Sequence, residues 1–151
     1  HMVYDVNKPN WCNRDRFVLS AGHGSALLYA TLYATTEDFT MDELKKFRKI
    51  NSTTPGHPEL NILKRIEATT GALGQGFATA VGMAIAEKYL EEKYNTKKLT
   101  LFNYNIYCLC GDGDLMEGIS YEAAAFAGEN KLNNIIFFSI FFSSFTFDSN
   151  K

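Results

Sequence analysis

Residues 111–118, Gly111-Asp112-Gly113-Asp114-Leu115-Met116-Glu117-Gly118, set a carboxylate between two glycines where an apolar stretch gives way to a helical pattern. Glycine admits unusual backbone angles and leaves no Cβ in the way, so Asp112 can offer hard oxygen to a cation while the backbone approaches a ligand. At the carboxyl end of a strand in an open α/β sheet, this is where a phosphate-bearing cofactor and its Mg²⁺ are expected. A tight turn in which Asp112 only caps the following helix explains the same residues. His23, between Gly22 and Gly24 and just before a helix start, is placed to donate to an anion held at that helix's N-terminus, or is a structural histidine of the turn. In Thr54-Pro55-Gly56-His57-Pro58-Glu59, two prolines and a glycine hold one imidazole rigid. Such a loop suits hydrogen bonding or proton transfer, or is simply structural. A further glycine turn, Thr69-Thr70-Gly71-Ala72-Leu73-Gly74-Gln75-Gly76, either approaches a cofactor ring or caps a helix. Glu117 and Glu122 are five apart, off any one tight helical face, and read by themselves as solvated acids.

These residues need elements to hold them. Phe17-Val18-Leu19 is too brief for a helix and stops at a glycine turn, which predicts a buried strand. Ser25 opens a helix whose residues 26–34 are apolar nearly all round, as a helix packed against a sheet requires. Thr40 followed by Glu43 is a capping-box pattern, and the acids-first, bases-last order of residues 41–50 predicts a surface helix. Small residues through 77–94 predict a closely packed helix, residues 106–110 a strand, and residues 116–130 a helix. The apolar run 135–147 exceeds the ~5–6 residues of an average strand and falls short of the ~20 of a membrane span.

The chain has 151 residues, 46% of them hydrophobic and 21% charged, which suits a single globular domain over residues 1–151. A net charge of −2 argues against a nucleic-acid surface. Cys12, Cys108 and Cys110 are an odd count without CxxC spacing, which supports neither a disulfide framework nor a structural zinc site and suits a reducing, cytoplasmic setting. His1-Met2 reads as a cloning remnant with no signal segment behind it. No GK[ST] follows the glycines, which excludes a P-loop; no GxGxxG fingerprint or GxSxG elbow is present.

Taken together, residues 14–25, Thr54 to Glu59, Thr69 to Gly76 and Gly111 to Gly118 resemble transketolase, in order and in spacing. The resemblance covers roughly residues 9–134, the amino-terminal diphosphate-binding part of that family, without its pyrimidine-binding and carboxy-terminal domains. It implies a three-layer α/β/α fold with a mostly parallel sheet, the thiamine-diphosphate-binding fold. It implies thiamine diphosphate held through Mg²⁺ or Ca²⁺, with Asp112 and Asn150 as metal ligands and Gly113 as a backbone contact to the diphosphate. His23, Gly71 and Leu73 match residues near the cofactor, and His57 one that hydrogen-bonds the donor sugar. Glu117 and Glu122 match glutamates linking the two sites of a homodimer, so His23, His57, Glu117 and Glu122 are the residues it assigns to catalysis. The implied reaction moves a two-carbon ketol unit from a ketose phosphate to an aldose phosphate in the pentose phosphate pathway. The glutamate that activates the cofactor belongs to the absent domain, so these 151 residues alone are expected to be inactive.

Two features depart from the family pattern. Ala72 stands where proline is usual, and the segment between Asn134 and Asp148 is longer than the family's short strand, either as a true insertion or as translated non-coding sequence. An exposed run of this kind invites aggregation. The competing expectations are a deoxyxylulose-phosphate-synthase-like enzyme, disfavoured by the Pro-Gly-His-Pro loop, and a non-catalytic scaffold module of the same fold.

Overall fold

The computed structural model describes residues 2–5 and 7–140. Strand β1 (Arg16–Leu19), β2 (Ile106–Gly111) and β3 (Ile135–Ile140) form a parallel sheet in the order β1-β2-β3. Arg16 lies opposite Ile106 and Leu19 opposite Leu109, while Ile106 to Gly111 pair with Ile135 to Ile140. Parallel strands need crossovers, and helices supply them. Helices α1 (Ser25–Thr35), α2 (Met41–Lys45) and α3 (Gln75–Tyr94) fall between β1 and β2, and α4 (Asp112–Met116) and α5 (Gly118–Glu129) between β2 and β3.

Strand alternation sends successive side chains to opposite faces. Val18, Ile106 and Cys108 pack with Ala80 and Ala84 of α3, and Cys110 with Phe77, Val81 and Ala127 of α3 and α5. On the other face Leu19, Phe17 and Leu109 meet Leu28, Tyr29 and Leu32 of α1, with Phe39 and Ile66. The result is a parallel sheet with helices on both faces, the α/β architecture that the family resemblance implies. Ala80 and Ala84 are fully buried, so α3 approaches the sheet closely along its small-residue face. Phe77 and Phe137 stack with ring centroids 3.9 Å apart, tying the start of α3 to β3. Among the described residues no helix is long and apolar enough to cross a membrane.

Three boundaries differ from the expectations. The surface helix expected over residues 41–50 ends at Lys45. Thr54 Oγ1 donates to the Glu43 carbonyl, and Arg48, at φ 61°, turns its N–H to the Thr54 carbonyl, so the returning loop takes over groups that a longer helix would use. Of the capping box, the half from Thr40 is formed: its Oγ1 accepts from Glu43 N–H. The Glu43 carboxylate instead accepts from Thr53 and Lys46. The helix expected over residues 116–130 is α5, starting at Gly118, and the turn read before it contains the separate short helix α4, the two divided where Glu117 is extended (φ −74°, ψ 138°). Of the apolar run, 135–140 is β3 and the remainder lies outside the described residues.

One acid stands out in the core. Glu87 of α3 is 1% exposed and accepts from Asn134 Nδ2 at 2.7 Å, and the same amide donates to the Ala84 carbonyl. Burial pushes the Glu87 carboxyl above its ordinary range, against the pull of Lys88 and with some reinforcement from Glu91. A raised native value means that this group's contribution is complete below its unfolded value and is lost as pH climbs through the native one. In urea unfolding from acid to neutral pH, the parent should therefore lose stability relative to Glu87→Gln above the ordinary glutamate range. A constant gap between the two proteins across that range would refute the assignment.

Candidate functional site

The glycine turns read from the sequence converge at the carboxyl ends of β1 and β2. After β1 the chain makes a 3-10 turn, Gly22–Gly24, and enters α1. A Cβ on Gly22 would lie 2.7 Å from the Gly71 nitrogen, and one on Gly71 would lie 3.1 Å from the His57 ring. The turn at residue 71 is thus wedged between the other two, and both contacts require the absent side chain. Gly74 adopts φ 78°, the left-handed region that glycine enters without a Cβ penalty, and packs against Glu117 and Ile119. A Cβ on Gly113 would touch Leu73 Cδ1 at 3.2 Å, and one on Gly111 would reach His23 Cε1 at 4.0 Å. Asp112, Gly113, His23, His57, Gly71 and Leu73 are thereby brought into one neighbourhood.

The His57 loop is tethered from α1. Ser25 Oγ donates to the Gly56 carbonyl at 2.6 Å, and Tyr29 Oη donates to the Pro55 carbonyl at 3.0 Å. Burial first and the charge of Glu59 second push the Tyr29 phenol up to about 12, so it stays a donor over the whole neutral range. On the far side Thr70 N–H donates to the Pro58 carbonyl. Pro58 is buried while His57 remains exposed, so the loop is anchored and its imidazole is presented outward.

Asp112 is exposed, and its Oδ1 accepts from the Gly113 N–H at 2.9 Å. The helix-capping role weighed for it belongs to Asp114, whose Oδ2 accepts from the Gly111 N–H at 2.9 Å. Asp114 is fully buried, and its Oδ1 accepts from Ser20 Oγ at 3.0 Å and from Gly74 N–H at 2.8 Å. Ser20 Oγ in turn accepts from Phe77 N–H, and Ser120 Oγ donates to the Asp114 carbonyl. Asp114, Ser20 and Ser120 are the residues that sequence reasoning passed over. The available signal was the second acid of the Gly-Asp-Gly-Asp stretch, two residues beyond the first. Cys108 and Cys110 lie beneath the site as buried thiols, pushed up by burial and then by neighbouring acidic groups, and are poor nucleophiles.

The donor set suits a metal-bound diphosphate. Asp112 supplies an exposed carboxylate, hard oxygen of the kind Mg²⁺ and Ca²⁺ prefer, next to a glycine backbone with no side chain in the way. Among the described residues no three His, Cys, Asp or Glu side chains gather into a metal-binding cluster. Asn150, the expected amide ligand, lies outside the described residues. Glu117 stands at the break between α4 and α5 and Glu122 on α5, both exposed.

Comparison with known proteins agrees with this geometry. Residues 1–144 match the family described as transketolase, thiamine diphosphate binding domain. The chain is 56% identical over 135 residues to a transketolase of Aquifex aeolicus, covering 89% of this chain and 20% of that protein. A transketolase structure from Leishmania mexicana superposes with a TM-score of 0.91 at 46% identity, over 93% of this chain and 21% of that one. A Pichia stipitis transketolase in complex with sedoheptulose-7-phosphate superposes with a TM-score of 0.89 at 45% identity, over 91% and 20% of the two chains. The chain spans about a fifth of the length of the curated relatives it matches.

The packing makes a direct prediction. A methyl group on Gly76 would sit 2.5 Å from Ser20 Cα, whereas one on Gly82, in the same helix, meets nothing within 4 Å. Gly76→Ala should therefore destabilise the fold by about 1–3 kcal/mol through overpacking. Gly82→Ala should stabilise it by about 0.5–1 kcal/mol through helix propensity. Urea unfolding of the two variants beside the parent checks both signs, and equal shifts would overturn the proposed close approach of α3 to β1.

Proposed function

Because the chain belongs to the transketolase family, we propose that it provides the diphosphate half of a transketolase site and that the protein transfers two-carbon ketol units between sugar phosphates. The observation that carries this is the interlocking of the Gly22, His57, Gly71 and Gly113 turns at the carboxyl ends of two parallel strands, at separations that the missing glycine side chains leave open. When bound, thiamine diphosphate supplies the carbanion chemistry by which the ketol unit is carried.

The chain's own residues have separable tasks in this reading. Asp112 would hold Mg²⁺ or Ca²⁺ through carboxylate oxygen, with Asn150 as the second side-chain ligand, and the Gly113 N–H, which donates to Asp112 Oδ1 in the free chain, would pass to the diphosphate. Gly71 and Leu73 border the cofactor, with the Leu73 side chain against Gly113. His23, on the turn that feeds α1, donates to anionic oxygen there. His57 hydrogen-bonds the donor sugar, its loop held by Ser25, Tyr29 and Thr70 so that little orientation is lost on binding. Glu117 and Glu122 are exposed on a stretch, residues 116–126, that also exposes Met116, Tyr121 and Phe126. Large apolar groups beside acids suit an interface, and we assign that stretch to a homodimer. The setting is the pentose phosphate pathway of the cytoplasm.

Isothermal calorimetry with magnesium and thiamine diphosphate tests the reading, because a scaffold module of this fold should give no heat. In the protein at its full length, Asp112→Ala should weaken magnesium-dependent cofactor binding on the order of 100-fold or more, since even outer-shell partners of a metal cost 10–100-fold. Unchanged affinity would reassign the metal. His57→Ala should lower turnover of the donor ketose by ~10²–10⁴-fold while changing cofactor affinity far less. A larger loss of cofactor affinity than of turnover would move His57 to the cofactor.

A further inference from the structure

Asp114 makes no use of its charge in the reading above, yet it is the most completely enclosed acid of the site. Its two oxygens accept from Gly111 N–H at the end of β2, Gly74 N–H in the 69–76 turn and Ser20 Oγ at the end of β1. Its carbonyl receives Ser120 Oγ from α5. Four segments thus meet on one residue, two of them, at Ser20 and Gly74, 94 and 40 residues away in sequence. We propose that Asp114 is a positioning residue that locks the turn carrying Asp112 and Gly113 to the turn carrying Gly71 and Leu73, so that both halves of the cofactor site are set before a ligand arrives. This rests on the functional reading just given, and it adds a residue that never touches the cofactor.

The chemistry of the carboxylate explains why an acid is required. Three donors converge on it from two sides, and two of them are backbone N–H groups that cannot reverse their direction. An asparagine amide in the same place has one acceptor oxygen and one NH₂ group. In either orientation its NH₂ would face the N–H of Gly74 or of Gly111, and that donor would stay buried without an acceptor. The left-handed turn at Gly74 then has one restraint fewer, and Leu73, one residue earlier, loses its fixed place against Gly113. Ser20 extends the lock: its hydroxyl donates to Asp114 and accepts from Phe77 N–H, in the first turn of α3.

The test compares Asp114→Asn, Ser20→Ala and Asp112→Asn in the protein at its full length. Calorimetry reads thiamine diphosphate affinity at several magnesium concentrations, and circular dichroism confirms folding. Asp114→Asn should raise the cofactor dissociation constant by ~10–100-fold, the range for residues that orient metal ligands. Added magnesium should not correct that defect, because the geometry of the turns and not a ligand is lost. Asp112→Asn should instead shift the magnesium requirement itself. Ser20→Ala should act in the same direction and more weakly, and the double variant should be no worse than Asp114→Asn alone, as expected of residues in one network. A folded Asp114→Asn protein with the parent's affinity, even at a lower melting temperature, overturns the positioning role. If Asp114→Asn does not fold, Ser20→Ala decides by the same criterion. A parent that binds no thiamine diphosphate overturns the functional reading instead.

Discussion

A buried carboxylate with several donors aimed at it constrains everything around it. Taking Asp114 out of water is costly unless its oxygens are hydrogen-bonded, and here the donors come from β1, β2 and the start of α3. The strand ends must therefore stand at one level, and the 69–76 turn must cross above them. The glycines follow from that requirement. Gly76 lies against Ser20, Gly74 against Glu117 and Ile119, and Gly71 between Gly22 and His57, each at a separation that a methyl group would violate. The hydrogen bonds set the approach, and the missing side chains permit it.

The core makes that approach rigid. Small residues on α3 let it lie close on Val18, Ile106 and Cys108, and the stacked pair Phe77 and Phe137 fixes the helix start against β3. The opposite face is filled by α1, whose Tyr29 serves two purposes: its ring packs with Phe39 and Phe47, and its hydroxyl holds the His57 loop. One buried side chain thus joins core packing to the placement of an exposed imidazole. Site residues on short turns gain precision from such anchoring. Glu87 shows the reverse arrangement, an acid enclosed far from the site and held to Asn134 at the entry to β3, where its burial links the sheet's integrity to pH.

Much of this was legible in the residues alone. The strand at Val18, the apolar helix after Ser25, the long helix to Tyr94 and the strand into Gly111 all follow from period and punctuation. Four motifs in register also pointed to the transketolase family, to which the chain belongs. Other features were not legible. Residues 41–50 carry a good helical pattern, yet Thr54 and Arg48 end the helix at Lys45 through contacts with a loop still to come. Residues 116–130 read as one helix, yet Glu117 is extended where the Asp114 carbonyl is shared by Ser120 Oγ and the Glu117 N–H.

Residue type determines local geometry wherever it restricts backbone angles or sets a period, and so the glycine turns, the strand faces and the Pro-Gly-His-Pro loop belonged to the sequence by itself. The roles of the two neighbouring acids did not. Asp112 and Asp114 share a residue type and nearly the same local context, and spacing treats them alike. Only the folded chain leaves Asp112 facing outward and encloses Asp114, because the donors that satisfy Asp114 include Ser20 and Gly74, 94 and 40 residues away. No local pattern encodes a partner at that separation, and tertiary packing chooses which carboxylate stays open for a ligand and which one holds the turns.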